Sequence, residues 1–366
     1  MNLSTHNIGR TLRHGASRVS LRFIAARLLW GVPVLLAVVV VSFVVMRFAP
    51  GGPFEREKPL PPAIKQALRA QYRLDRPMTP IYLEPTEPTR AKELRAFERS
   101  HTVVELGSVH LVASPTGWLQ TQLPAYIAQI VQGDFGVSMK YQQVRINDIL
   151  ARTVPVSMLL GLLAFALTYL MGVGAGLVAA ANRGKWLDSS AMIAASMGFS
   201  MPSFVVGALL ILVFSLWLKV LPPALWEGPS FVILPALTLA VGPAAYIARL
   251  TRSGILDALE QDYIRTAKAK GLGWRRVILK HALSNATGPL ITVSGPLLAT
   301  LVTGSFVVEH IFAIPGMGRY FISAVVDRDY PMIMAVTVIY AGLIVVANIA
   351  VDVLYAVADP RVEANR

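Results

Sequence analysis

The chain has 366 residues, 54% of them hydrophobic and 15% charged, with a mean hydropathy of +0.55. Soluble domains run about 45–50% apolar and about 25% charged, so disorder, a disulfide scaffold and a simple soluble enzyme are excluded. The absence of cysteine removes thiol catalysis, thiolate metal sites and disulfides, and the net charge of +13 has to be read against the apolar runs, because basic residues also set membrane topology.

Residues 1–27 form a basic N-terminal stretch carrying Arg10, Arg13, Arg18, Arg22 and Arg27. An uncharged run follows from Leu28 to Met46, and a spanning helix needs roughly 20 mostly apolar residues. A cleaved signal peptide is the competing reading. Its apolar core would be only about 7–15 residues and would end in a small-x-small site. Here Ala49-Pro50-Gly51-Gly52-Pro53 follows instead, so 28–48 is read as a retained first span.

Residues 49–152 read as an extracytoplasmic segment. Pro61 to Tyr72 has Ile64, Leu68 and Tyr72 at helical spacing. Glu84-Pro85-Thr86-Glu87-Pro88 reads as a proline-broken linker. Thr102–Leu106 and Val109–Ala113, separated by Gly107-Ser108, read as a hairpin. A small cap fits this pattern; a poorly ordered loop is the alternative.

Five further apolar runs follow: Leu159–Ala180, Ala191–Leu218, Phe231–Ile247, Leu290–Val308 and Met332–Val357, the last containing one acid, Asp352. Prolines 33, 202, 235, 243 and 296 lie inside the six runs and are tolerated in membrane helices, where neighbouring spans satisfy freed carbonyls. The expected fold is an all-α integral membrane protein with six transmembrane helices. Lys and Arg concentrate in the N-terminus, in the 181–189 and 249–284 loops and in the tail. Only Lys219, Arg319 and Arg328 fall in the two short loops of the other side. This places both termini in the cytosol.

The loop between the fourth and fifth runs carries the most information. Leu256, Leu259, Tyr263 and Ala267 recur on one helical face, and Trp274, Val277, Ile278 and His281 on a second. Gly271 and Gly273 lie between them, where a sharp turn needs residues tolerant of positive φ. The expectation is a helical elbow with apolar faces, edged by Arg265, Lys268, Lys270, Arg275 and Arg276. Such an elbow either lies on anionic headgroups or docks into a protein groove.

Catalytic signatures are missing from the sequence. There is no G-x-x-x-x-G-K-[ST] and no H-E-x-x-H, and the six histidines show no metal-ligand spacing. Asp134-Phe135-Gly136 lacks the other kinase motifs, Gly316-Met317-Gly318 follows no strand, and Gly198-Phe-Ser200 lacks the closing glycine of a nucleophile elbow. The chain is therefore expected not to be an enzyme. Reversing a two-state equilibrium from 1:99 to 99:1 takes roughly 5.5 kcal/mol of differential binding. A pump lacking a nucleotide site has to receive that bias through a contact, and the elbow is the candidate.

At this loop the sequence resembles the inner-membrane permeases of binding-protein-dependent ABC importers. Their signature has the form Glu-Ala-Ala, three residues, Gly, nine residues, Ile-x-Leu-Pro. The aligned positions are Arg265-Thr266-Ala267, Gly271 and His281-Ala282-Leu283-Ser284, of which Ala267, Gly271 and Leu283 match. Met46–Phe54, Gly133–Ser138, Pro202–Gly207, Val308–Phe312 with Pro315–Gly318, Arg328–Pro331 and Val351–Arg361 agree with the peptide-importer branch, B-type subunit. The match covers about 22–83 and 125–361, with about 84–123 extra and 153–361 as the permease core, whose coupling loop is about 250–285.

The resemblance implies a second permease subunit, two ABC ATPase subunits, an extracytoplasmic solute-binding protein and surrounding membrane lipid, without nucleic acid. ATP and Mg would be bound by the ATPases and no cofactor by this chain. It implies ATPase contact through Tyr263, Arg265, Thr266, Ala267, Lys270, Gly271, Gly273, Arg275, His281 and Leu283. Inward-facing hydroxyls are candidate pathway liners: Ser196, Ser200, Ser203, Thr292, Ser294, Thr300 and Thr303, although small hydroxyls also act as helix-packing glue. Glu309, with His310, either lines the outer mouth or partners the following turn. Asp352 is read as structural, bonded to Asn348 or a helix terminus. The solute is a peptide, or alternatively nickel, glutathione or a modified peptide. A self-sufficient channel or secondary transporter would need mid-membrane ion-pairing acids and an inverted repeat, which the sequence lacks.

Overall fold

The computed structural model describes residues 21–48, 66, 68, 72, 81–85, 102–106, 109–113, 121–141, 144–303 and 306–358. Its helices, in chain order, are α1 (Leu21–Phe48), α2 (Gln122–Val131), α3 (Ile146–Ala181), α4 (Trp186–Ser200), α5 (Ser203–Leu210) and α6 (Pro229–Leu259). They continue as α7 (Asp262–Ala269), α8 (Trp274–Arg276), α9 (Leu283–Val302), α10 (Phe306–Ile311), α11 (Met317–Asp327) and α12 (Tyr330–Ala358). Two π-helical stretches extend α5 and α8, over Ile211–Trp217 and Val277–Ala282. Among the described residues, five helices are long and apolar enough to cross a membrane, or six if a bent pair counts as one span.

That bent pair corrects the third expected span. The run was read as one helix, but Trp186–Ser200 and Ser203–Trp217 meet at 112°. The cause is local. Pro202 disfavours the helical region for the residue before it, and Met201 sits at φ −84°, ψ 130°. The missing proline N–H also removes a helical hydrogen bond at the break.

Contacts divide the chain into two units. The first comprises Met1–Leu35, Leu150–Ser323 and Val338–Arg366. Its core contains Leu160, Leu234, Leu239, Leu301, Val308, Phe312 and Ile314, drawn from α3, α6, α9 and α10 and the turn after α10. Gly172 and Gly176, one turn apart on α3, let its backbone close on α6, since a Cβ at either would meet the carbonyl of Ala244 or Ala248 at 2.6–2.7 Å. Within this unit α1 packs on α12, with Gly31 against Val345.

The second unit comprises Leu36–Ile149 and Ala324–Thr337. The expected hairpin is present as β2 (Thr102–Leu106) and β3 (Val109–Ala113), paired from Thr102↔Ala113 to Leu106↔Val109. One expectation needs correcting: Glu84-Pro85 belongs not only to a linker but to strand β1 (Ile81–Pro85), which pairs antiparallel with β3 and gives the order β1-β3-β2. Pro85 ends an edge strand, where a missing N–H costs little. The short helix expected over 61–72 falls largely outside the described residues; Gln66 and Leu68 are helical and the Tyr72 amide donates to the Leu68 carbonyl at 3.0 Å.

Asp329 organises the rest of this unit. Its buried carboxylate accepts from the Ser138 hydroxyl, the Met139 amide (3.1 Å), the Lys140 amide (3.2 Å) and the Met332 amide (3.3 Å). It thus joins the Gly133–Ser138 and Arg328–Pro331 segments and caps α12. A carboxylate accepting several N–H and O–H bonds is well satisfied despite burial. The exposed Lys140–Asp327 pair sits beside it, and that bond holds the Lys140 ammonium above the usual lysine range.

Candidate functional site

The 257–283 elbow begins where α6 ends. Glu260 is still helical, but Gln261 is extended at φ −77°, ψ 151°, and α7 restarts at Asp262. α7 closes by a pattern that places a left-handed residue just past the helix. The Gly271 amide donates to Lys268 O (2.9 Å) and the Leu272 amide to Ala267 O (3.3 Å), with Gly271 at φ +78°. A non-glycine residue there costs roughly 1–2 kcal/mol. A Cβ would meet nothing within 4 Å, so the constraint is purely backbone. Gly273 differs from expectation: at φ −62°, ψ 148° its backbone suits any residue, and its carbonyl starts the next helical turn by accepting from the Arg276 amide.

The break at Gln261 also shifts which residues face inward. Ile264 and Ala267 are buried, whereas Tyr263, placed by periodicity on the same face as Ala267, is 43% exposed. The helical count from Leu256 does not survive a non-helical residue. In the second limb Val277, Ile278 and Ala282 are buried and Trp274 points out, 46% exposed. Beneath the elbow, Ala180, Ile255, Ala258, Ala282 and Ala286 form a core of mostly small side chains, with Leu256, Leu259 and Leu283 packed at its edge. Small residues bring the ends of α3 and α6 close to the π segment.

The outer surface of the elbow combines Tyr263, Trp274 and Leu279 with exposed Arg265, Lys268, Lys270, Arg275 and Arg276. Lys268 Nζ lies 5.3 Å above the Trp274 ring, and Arg265 pairs with Asp262 at 3.3 Å. Thr266 is exposed, but its hydroxyl donates to Asp262 O, and His281 is half-buried. Of the expected contact residues, Tyr263, Arg265, Thr266, Lys270, Gly271, Gly273 and Arg275 lie on the outer surface. Ala267 and Leu283 belong to the packing beneath. Trp274 is the prominent addition; an exposed tryptophan in a basic loop was the available signal.

The candidate pathway residues separate into three environments. Ser200 and Ser203 flank the 112° break and are exposed, as is Ser196. On α9 the hydroxyls turn back to their own helix: Thr292 to Gly288 O, Ser294 to Leu290 O, Thr300 to Pro296 O, and Thr303, next to its C-terminus, to Ala299 O, all at 2.8–3.1 Å. Glu309 is fully buried. Its Oε2 accepts from the Gly318 amide at 2.7 Å, so it partners the following turn, the second of its two expected roles. Ser157 on α3 joins the same cluster, accepting from the Met317 amide at 2.9 Å. Gly316 has to be glycine there, because a Cβ would collide with the Glu309 carboxylate and the Ser157 hydroxyl. Asp352 pairs with Arg27 at 3.2 Å rather than with Asn348. Among the described residues no group of His, Asp and Glu could hold a metal ion.

Residues 172–364 match the family model described as binding-protein-dependent transport system inner membrane component. The chain belongs to this family. Among its relatives, the dipeptide transport system permease protein DppB of Bacillus subtilis is 40% identical over 91% of this chain and 94% of its own length. The oligopeptide transport system permease protein OppB of Escherichia coli K12 is 36% identical over 93% of this chain and 99% of its own. A chain of the MetNI methionine ABC transporter in an inward-facing conformation shares the fold, with TM-score 0.50 and 17% identity over 58% of this chain and 96% of that one. As a member of the family, the chain is an inner-membrane component with several membrane-spanning helices.

Proposed function

We propose that this chain is the transmembrane permease subunit of a peptide-importing ABC transporter, moved through the 257–283 elbow by separate ATPase subunits. The reading rests on the relatives' roles as peptide permeases and places both termini and the elbow in the cytosol. One observation carries the coupling role: the elbow turns its aromatic and cationic side chains outward while anchoring its inner face on the ends of α3 and α6. A surface of Tyr263, Trp274 and Leu279 rimmed by cations suits a protein groove, since fully buried aromatic anchors dominate interface energetics. In this arrangement two ATPases, a second permease and an extracytoplasmic binding protein complete the complex. Nucleotide and Mg are held by the ATPases, and the chain contributes no catalytic step of its own.

The test is uptake by proteoliposomes holding the full complex, using labelled di- to pentapeptides. Uptake is expected to require ATP inside and binding protein outside. The variant Gly271→Trp inserts normally but lowers solute-stimulated ATP hydrolysis to background. Uphill uptake by this chain alone, or full stimulation in Gly271→Trp, overturns the reading.

A further inference from the structure

Away from the elbow's outer surface, one ion pair is built more firmly than the others in the first unit. Arg252 on α6 grips Asp188 on α4 with two parallel bonds, Nε to Oδ1 at 2.6 Å and Nη2 to Oδ2 at 2.7 Å. Asp188 is 4% exposed, and its Oδ2 also accepts from the Gly184 amide at 3.0 Å. One carboxylate therefore fastens three things: the 182–185 turn, the start of α4 and the far end of α6. The fork geometry fixes orientation as well as distance. By contrast, the neighbouring Arg183–Glu260 pair is exposed on both sides, at 3.3 Å.

The pair lies on a continuous mechanical route. α6 runs from Pro229 to Leu259 and the elbow's first helix, α7, starts three residues later, so Arg252 stands about two turns before the end of α6. α4 packs along α6 in the opposite sense, with Asp188 beside Arg252 at one end and Gly198 against Val241 toward the other. Arg249 also stacks on Phe199, 4.6 Å from the ring centroid. α4 then ends at the 112° break, flanked by Ser200 and Ser203. The end of α6 shares one packed core with the elbow through Ile255, Ala258, Ala282 and Ala286, and the Asp188–Arg252 fork ties the same end of α6 to α4.

We propose that Asp188 and Arg252 are positioning residues for transport: a strut that passes elbow displacement from α6 to α4 and so to the break at Met201-Pro202. This rests on the elbow being the ATPase contact. The strut touches neither nucleotide nor solute. Its loss uncouples two movements and leaves the elbow's own surface in place.

The experiment measures solute moved per ATP hydrolysed in proteoliposomes of the full complex, with ATPase co-purification and thermal midpoint recorded for each variant. Asp188→Asn and Arg252→Gln are each expected to keep the ATPases bound and hydrolysing while the ratio falls at least about tenfold. The double variant falls no further than either single, because both remove one link. Arg252→Lys keeps the charge but loses the fork, and is expected to give an intermediate ratio at a native midpoint. A purely structural role predicts a ratio that stays normal in the surviving complexes. That result overturns the proposal, as does loss of ATPase co-purification or a double variant whose losses multiply. Gly271→Trp in parallel separates the two claims. If it retains stimulation, the elbow reading fails; if it loses stimulation while Asp188→Asn keeps its ratio, only the strut fails.

Discussion

Two helix ends in this molecule close with the same hydrogen bonds and use them oppositely. In the elbow, Gly271 and Leu272 donate to Lys268 and Ala267; after α10, Ala313 and Ile314 donate to His310 and Glu309. Both put one residue in the left-handed region, Gly271 at φ +78° and Ala313 at φ +51°. The elbow's left-handed residue is exposed, with open space around a notional Cβ, and glycine alone makes the turn inexpensive. The α10 turn is held by its surroundings: Phe312 and Ile314 are buried, and the Glu309 carboxylate ties Gly318 beside Ser157. A dense environment can hold an alanine in a conformation it disfavours. The first turn is shaped by its own backbone, leaving its surface free to be gripped, whereas the second is imposed by its neighbours.

Substitutions can break or sharpen that contrast. The largest effect is expected from Glu309→Ala, which strands the buried Gly318 N–H by removing its acceptor, at about 1–3 kcal/mol. The thermal midpoint of the detergent-solubilised complex should fall by several degrees; an unchanged midpoint would mean that the α10 turn does not depend on its neighbours. Gly271→Ala comes next, with roughly 1–2 kcal/mol of local strain and no steric clash. It should leave the midpoint nearly native and weaken ATPase co-purification several-fold, and equal damage to folding would erase the distinction. Ala313→Gly relieves left-handed strain but loosens the unfolded chain, so the net change should stay within about 1 kcal/mol. Lys140→Met sets the floor. An exposed pair such as Lys140–Asp327 is worth about 0.2–1 kcal/mol. Because Asp327 holds the Lys140 ammonium above its ordinary range, that increment is fully present below the usual lysine pKa and disappears as pH rises through the raised value. Midpoints of wild type and Lys140→Met should therefore converge as the buffer is made strongly alkaline.

Much of the architecture is legible without coordinates, because long apolar runs report directly on the bilayer. The 102–113 hairpin and the elbow were readable for similar reasons, being encoded in consecutive residues. The bend in the third span is not legible in its hydropathy, because an apolar run counts residues and ignores direction; only Pro202 signals it, and prolines elsewhere in the spans sit inside continuous helices. Tyr263 and Ala267, assigned to one helical face, part company, one exposed and one buried, because Gln261 interrupts the helical count. Asp188 and Arg252 lie 64 residues apart, and nothing in either neighbourhood names the other.

Sequence alone determined that the chain is a multi-span helical membrane protein with a glycine-closed basic elbow, since composition, period and left-handed tolerance are local properties of consecutive residues. Tertiary structure decided which faces of the elbow are buried and that Glu309, Asp329 and Asp188 each fasten a turn. Those outcomes depend on which distant groups meet, apolar side chains beneath the elbow and hydrogen-bond donors at the buried carboxylates, and such pairings follow from packing in three dimensions rather than from spacing along the chain.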